Sequence, residues 1–160
     1  MKVEEKVLKL KEIFESKNMT LSLAESCTGG LLSAEIVRYP GVSSFYQGSV
    51  VSYSSKVKEN ILDVPPHLIK TLGEVSEPVA LAMARGVKSQ LESDWSVSIT
   101  GVAGPGGGSE EKPVGTVCFG IVGPGFEQTV SQNFKIKNRT EIQQKSIAFA
   151  LDLIFDSLTT

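Results

Sequence analysis

The hydrophobic spacing of this chain switches repeatedly between the period of a helix and that of a strand, which restricts the folds open to it more than any other feature. Val3, Val7, Leu10 and Phe14 recur at helical spacing, and so do Ile147, Ala150, Leu151, Ile154, Phe155 and Leu158 near the other end. Both stretches predict amphipathic helices. Between them the pattern predicts a strand over about 20–24, a helix over about 28–38, a β segment (SFYQGSVVSYS) over 44–54 and a short helix, KVKENIL. Pro65 and Pro66 punctuate the chain. SEPVALAMARGVKSQLE then predicts a helix with Ser76 as N-cap and Pro78 in its first turn, where a missing N–H costs little. Residues 95–100 alternate like a strand, and two further β runs, 115–122 and 126–134, meet at VGPG as a hairpin. Interleaved helices and strands plus an antiparallel hairpin predict an α/β fold. The expected form is a three-layer α/β/α sandwich with a mixed, mainly parallel sheet.

At 160 residues the chain is expected to form one domain, 1–160. Sixteen Lys and Arg against 18 Asp and Glu give a net charge of −2, so there is no basic field of the kind that holds nucleic acid. MKVEEKVLKLKEIFESK mixes charge with apolar residues, which excludes a signal peptide or a membrane span there. A cytoplasmic protein with no membrane partner is the expectation. The two cysteines, Cys27 and Cys118, lack CxxC spacing, and free thiols are expected rather than a zinc site or a disulfide.

Three polar or glycine-rich segments directly follow predicted strands, where open α/β sheets bind ligands. The first, AESCTGG, offers Ser26, Cys27 and Thr28 between Glu25 and the pair Gly29–Gly30. Backbone N–H groups at such a strand-to-helix turn favour an anion, whether phosphate or oxyanion. The residues alone leave open whether Ser26 or Thr28 is a helix cap, and whether Ser26 or Cys27 is a nucleophile. The single histidine, His67, follows a Pro-Pro turn and reads as a surface or capping residue, so a serine nucleophile would depend on a lysine. Lys56 and Lys58, in the second segment YSSKVK, are the candidates; a lysine becomes a base only when burial or a nearby cation depresses its pKa. Helical spacing points Lys58 the same way as Ser54 and Ile61. The third segment, GVAGPGGGSEEKPVG, suits an N–H nest for an anion or a mobile surface loop, and it lacks the Gly-Lys-Ser/Thr ending of a P-loop. Arg139 opens the last helix, where the helix dipole disfavours a cation and so hints at an anionic ligand.

Taken together in order and spacing, AESCTGG, YSSKVK, GEVSEPV and SITGVAGPGGGSEEKPVGTV resemble the C-terminal domain of the competence-damage-inducible CinA family, over about residues 8–158. Stand-alone members of that family are nicotinamide-nucleotide amidases. The resemblance therefore implies hydrolysis of the carboxamide of nicotinamide mononucleotide (NMN) to nicotinate mononucleotide and ammonia in pyridine nucleotide recycling, without metal or cofactor. It implies a serine–lysine dyad, which falls on Ser26 and on Lys58, five residues after Tyr53. Substrate contacts are expected from Glu25, Thr28, Gly29, Gly30 and Tyr53. Thr100, Gly101, Gly104, Gly106, Gly107, Ser109 and Arg139 complete the set, with Glu25 drawn to the pyridinium and Arg139 and the glycine nest to the phosphate. A homo-oligomer is implied by resemblance only. Ser49 stands where the family often has glycine, and no molybdopterin-binding-like domain precedes this sequence, so the chain is expected to act alone. A non-catalytic nucleotide-binding or assembly module, or an amidase of another small amide, stays open beside the first reading.

Overall fold

Leu21–Glu25 (β1) is buried at every residue, and a strand with no exposed position belongs in the middle of a sheet covered on both faces. In the computed structural model, which describes residues 1–160, β1 lies between Tyr46–Val51 (β2) and Trp95–Gly101 (β3), parallel to both. Thr116–Gly123 (β4) pairs antiparallel with β3, and Phe126–Asn133 (β5) antiparallel with β4. The order is β2-β1-β3-β4-β5. Four strands point the same way, although the hairpin makes only two of the four pairings parallel.

Helices cover both faces. Val3–Ser16 (α1), Leu31–Val37 (α2) and Arg139–Thr159 (α6) enclose a core of 24 buried residues, among them Phe14, Leu23, Ile36, Ile99 and Phe119. Ser55–Leu62 (α3), Pro66–Leu72 (α4) and Glu77–Leu91 (α5) cover the other face over a core of six. The second core is small because α5 lies almost on the sheet. Ser96 and Ser98 of β3 donate to the Ala84 and Ala80 carbonyls of α5 at 2.6 and 2.5 Å, and a Cβ at Gly120 would stand 2.6 Å from the Ala80 oxygen. Likewise, a Cβ at Gly86 would stand 2.0 Å from the Leu62 oxygen of α3. Ser76 caps α5 as its spacing predicts, accepting from the Val79 amide at 3.4 Å.

Two expected elements are shorter than their patterns. The helix expected from Thr28 begins at Leu31, because Gly29 and Gly30 hold φ of 57° and 101°, which a right-handed helix does not admit. The β segment expected over 44–54 is confined to β2, between a 3-10 turn at Val42–Ser44 and the α3 cap, where Ser54 accepts from the Val57 amide.

β1, β2 and β3 are co-directional, so their carboxyl ends share one edge of the sheet. The chain crosses from β1 to β2 through α2 on one face, and from β2 to β3 through α3, α4 and α5 on the other. β1 is thus the switch point, and the crevice beyond its carboxyl end is where such sheets bind ligands.

Candidate active site

Ser26 is the first residue after β1, and its amide donates to the Ile99 carbonyl of β3 at 2.9 Å, which fixes the start of the turn. Lys58 comes from one turn inside α3. It shares the buried face of that helix with Leu62, one turn on, rather than with Ile61, which is 48% exposed; the expected alignment with Ile61 is corrected by this register. A lysine at an apolar helix position is driven into the protein, and Lys58 is only 1% exposed. Its Nζ donates to Ser26 Oγ at 3.0 Å and to the Ser52 and Tyr53 carbonyls at 2.7 and 3.3 Å. Burial lowers its pKa, and the Glu74 carboxylate, 3.6 Å away, pulls partly the other way. Lys56 is exposed.

The turn distinguishes among the three nucleophile-type side chains. Burial pushes the Cys27 thiol up to about 12, which keeps it protonated and unreactive at neutral pH. Thr28 is buried and spends its hydroxyl proton on Glu25 Oε1 at 2.7 Å. Of the three, only Ser26 has a lysine amine within hydrogen-bonding distance, and its hydroxyl is not committed to a helix cap. The Cys27 and Thr28 amides donate to no protein carbonyl or carboxylate; the Cys27 N–H faces its own thiol, and the Thr28 N–H has no protein acceptor.

A cavity of about 280 Å³ opens in front of Ser26, and the structure brings Tyr53, Thr100, Gly101, Gly104, Gly106, Gly107 and Arg139 to its wall. Arg139 donates to the Gly104 carbonyl at 2.8 Å and to the Tyr53 hydroxyl at 2.9 Å, tying the last helix, the glycine loop and the end of β2 together. Thr100 donates to the Glu74 carbonyl at 3.0 Å. Gly101 is required by packing, since a Cβ there would meet Val117 Cγ2 at 2.8 Å, whereas Gly106 and Gly107 have open space in front of them.

Five expected contacts do not line this cavity. Glu25 is fully buried and turned into α2: Oε1 accepts from the Leu32 amide at 2.9 Å, and Oε2 from the Ser33 amide at 3.0 Å and from Ser49 at 3.4 Å. It is the anionic cap of α2, not a partner for a pyridinium. Thr28 serves the same cap. Gly29 and Gly30 supply the left-handed backbone that carries the chain into α2, outside the cavity wall. Ser109 lies in an exposed turn closed on Lys112 by two bonds, the Ser109 amide to the Lys112 carbonyl at 2.9 Å and the Lys112 amide to Ser109 Oγ at 3.0 Å. Ser49 serves Glu25 rather than the cavity, and His67 is exposed on α4.

Glu74, Val75 and Cys27 also line the cavity, and Gln143 holds the Cys27 carbonyl at 2.9 Å from α6. Sequence reasoning gave Glu74 and Gln143 no role. Glu74 was visible inside GEVSEPV, but nothing in that segment tells which way a turn residue faces.

An α/β sandwich with a serine–lysine pair at its switch point defines the class, and comparison with known proteins gives the family. The model of the CinA C-terminal domain matches residues 3–158, so the chain belongs to that family. It is 45% identical over 141 residues to a CinA-like protein of Parasynechococcus marenigrum, covering 88% of this chain and 34% of that protein. It is 48% identical over 145 residues to one of Prochlorococcus marinus subsp. pastoris, covering 89% and 33%. The chain thus spans about a third of the length of these relatives. Among solved structures, competence/damage inducible protein CihA from Agrobacterium tumefaciens superimposes with a TM-score of 0.95 at 32% identity, covering 99% of this chain and 96% of that one. A CinA superfamily protein from Enterobacter cloacae gives 0.94 at 31% identity, with coverage of 99% and 93%.

Proposed function

We propose that this domain is a cytoplasmic amidohydrolase that removes the amide nitrogen of nicotinamide mononucleotide, giving nicotinate mononucleotide and ammonia. The observation that carries the reading is the 3.0 Å contact between Ser26 Oγ and a lysine withdrawn from solvent. An ordinary lysine is an ammonium at neutral pH and cannot take a proton. Burial of Lys58 disfavours the charged form and makes the neutral amine accessible. In the proposed reaction Lys58 accepts the Ser26 proton as the oxygen attacks the carboxamide carbon, and returns it to the departing nitrogen, which leaves as ammonia. The resulting acyl-enzyme is opened by water, with Lys58 again as base. In this reading the Cys27 and Thr28 amides, which donate to no protein carbonyl or carboxylate, serve the oxyanion of each tetrahedral intermediate. Arg139 and the open backbone at Gly106 and Gly107 receive the 5′-phosphate.

The test is release of ammonia from NMN by the purified chain, with Ser26→Ala and Lys58→Ala each abolishing it while circular dichroism stays that of the parent. No ammonia from the parent protein overturns the amidase reading.

A further inference from the structure

The wall of the Ser26 cavity carries charged side chains at two places, Arg139 and Glu74. Arg139 is committed to Gly104 and Tyr53 and retains further N–H donors for an anion. Glu74 belongs to no helix; it sits in the turn between α4 and α5. That turn is held from two sides, by the Thr100 hydroxyl on the Glu74 carbonyl and by the Lys112 ammonium on the Leu72 carbonyl. Glu74 Oε1 accepts from Ser55 Oγ at 2.6 Å, and Oε2 has no protein donor. The cation beside it is Lys58, the same group that must lose its proton to act as a base.

We infer that Glu74 selects the substrate by its positive ring, so that the site takes N-substituted pyridinium carboxamides in preference to neutral amides of the same shape. The inference rests on the amidase reading and deepens it. Once Lys58 is neutral, Glu74 is an anion facing the cavity with one hydroxyl as its sole protein partner. A fixed cation replaces the lost ammonium, whereas a neutral ring covers the carboxylate without compensating it. Distance allows the pairing: Lys58 Nζ lies 3.0 Å from Ser26 Oγ and 3.6 Å from Glu74 Oε1, a span that a carboxamide-bearing ring bridges. The ring cation also competes with the lysine proton for Glu74. Substrate therefore favours the neutral lysine at the moment it is needed, and a neutral ring does not.

Binding tests this without turnover. On a Ser26→Ala background, titration calorimetry compares NMN with benzamide riboside 5′-monophosphate, which keeps the carboxamide, ribose and phosphate on an uncharged ring. NMN is expected to bind about tenfold tighter, the scale of a half-screened charge pair. Adding Glu74→Gln removes that advantage by weakening NMN alone, and Glu74→Lys reverses the order. Equal weakening of both ligands, no change in either, or no measurable NMN binding overturns the inference. An unfolding midpoint like the parent's shows that the variants are folded. Ammonia release, assayed separately, tells the two readings apart: a Glu74-dependent binding difference without ammonia leaves the inference standing and removes the amidase, and ammonia without that difference does the reverse.

Discussion

Lys58 owes its chemistry to a conflict. Its helix position is one that Leu62 fills with hydrocarbon a turn later, and its ammonium therefore meets three oxygens and little water. With its pKa lowered by burial, the neutral form that the proposed reaction needs appears at lower pH than for an exposed lysine. The rate is expected to rise with pH through that depressed value. Among the groups facing it, Glu74 favours the ammonium and Cys27, protonated, is uncharged at neutral pH. Removing the anion with Glu74→Gln lowers the lysine further, so the acid limb of the kcat/KM profile against NMN should move to lower pH; a move to higher pH would contradict the assignment. In the proposed reaction Arg139 holds a part of the substrate that does not react, so Arg139→Ala should raise KM by roughly tenfold or more with a smaller effect on kcat. Steady-state kinetics would show the split, and an equal fall in kcat at constant KM would refute it.

At the scale of elements, β1 shows what the sequence discloses and what it hides. Successive strand residues face opposite ways, and Leu21 and Leu23 face the large core, so Glu25 belongs on their side, under α2, away from the cavity. That signal is present in LSLAE, whereas the positive pyridinium of the substrate implied by the family resemblance leads to Glu25 being expected at the ligand. Helical spacing likewise gives Lys58 the wrong neighbour within a correctly placed helix, because eight residues leave the buried stripe undetermined until something packs on it. The sequence makes legible the order of strands and helices along the chain, and its family resemblance makes legible the Ser26–Lys58 contact and Arg139 on the cavity wall, which the residues alone leave among alternatives. Glu74 was hidden because its facing depends on Thr100 and Lys112, neither near it in sequence. Two substitutions test the packing. Glu25→Gln puts an N–H₂ among donors and should cost about 2 kcal/mol in urea unfolding. Gly86→Ala ought to gain about 1 kcal/mol from helix propensity, but the Cβ meets the Leu62 carbonyl, and net destabilisation of about 2 kcal/mol is expected. Stabilisation would mean that α3 and α5 are farther apart than described.

Across the whole molecule, the two faces of the sheet are secured differently. The α1, α2 and α6 side rests on a large apolar core, while α4, on the other side, has no buried residue. Hydrogen exchange should therefore find α4 among the first elements to open, with β1, β3 and β4 among the last, and slow exchange in α4 would contradict this ordering. The turn that carries Glu74 follows α4, so this carboxylate of the cavity wall is borne at the margin of the layer expected to open first. Ser96 and Ser98 give this asymmetry a longer reach. On the side of Val97 and Ile99, β3 can exchange one hydrocarbon for another of similar volume, and descendants of this chain can drift there. On the serine side, where hydroxyls touch the carbonyls of α5, a larger side chain has no volume to trade and must lift the helix. Variation in this strand is thus expected to be lopsided: apolar substitutions accumulate on one face, and positions 96 and 98 on the other stay confined to serine, alanine and glycine for as long as α5 keeps its distance.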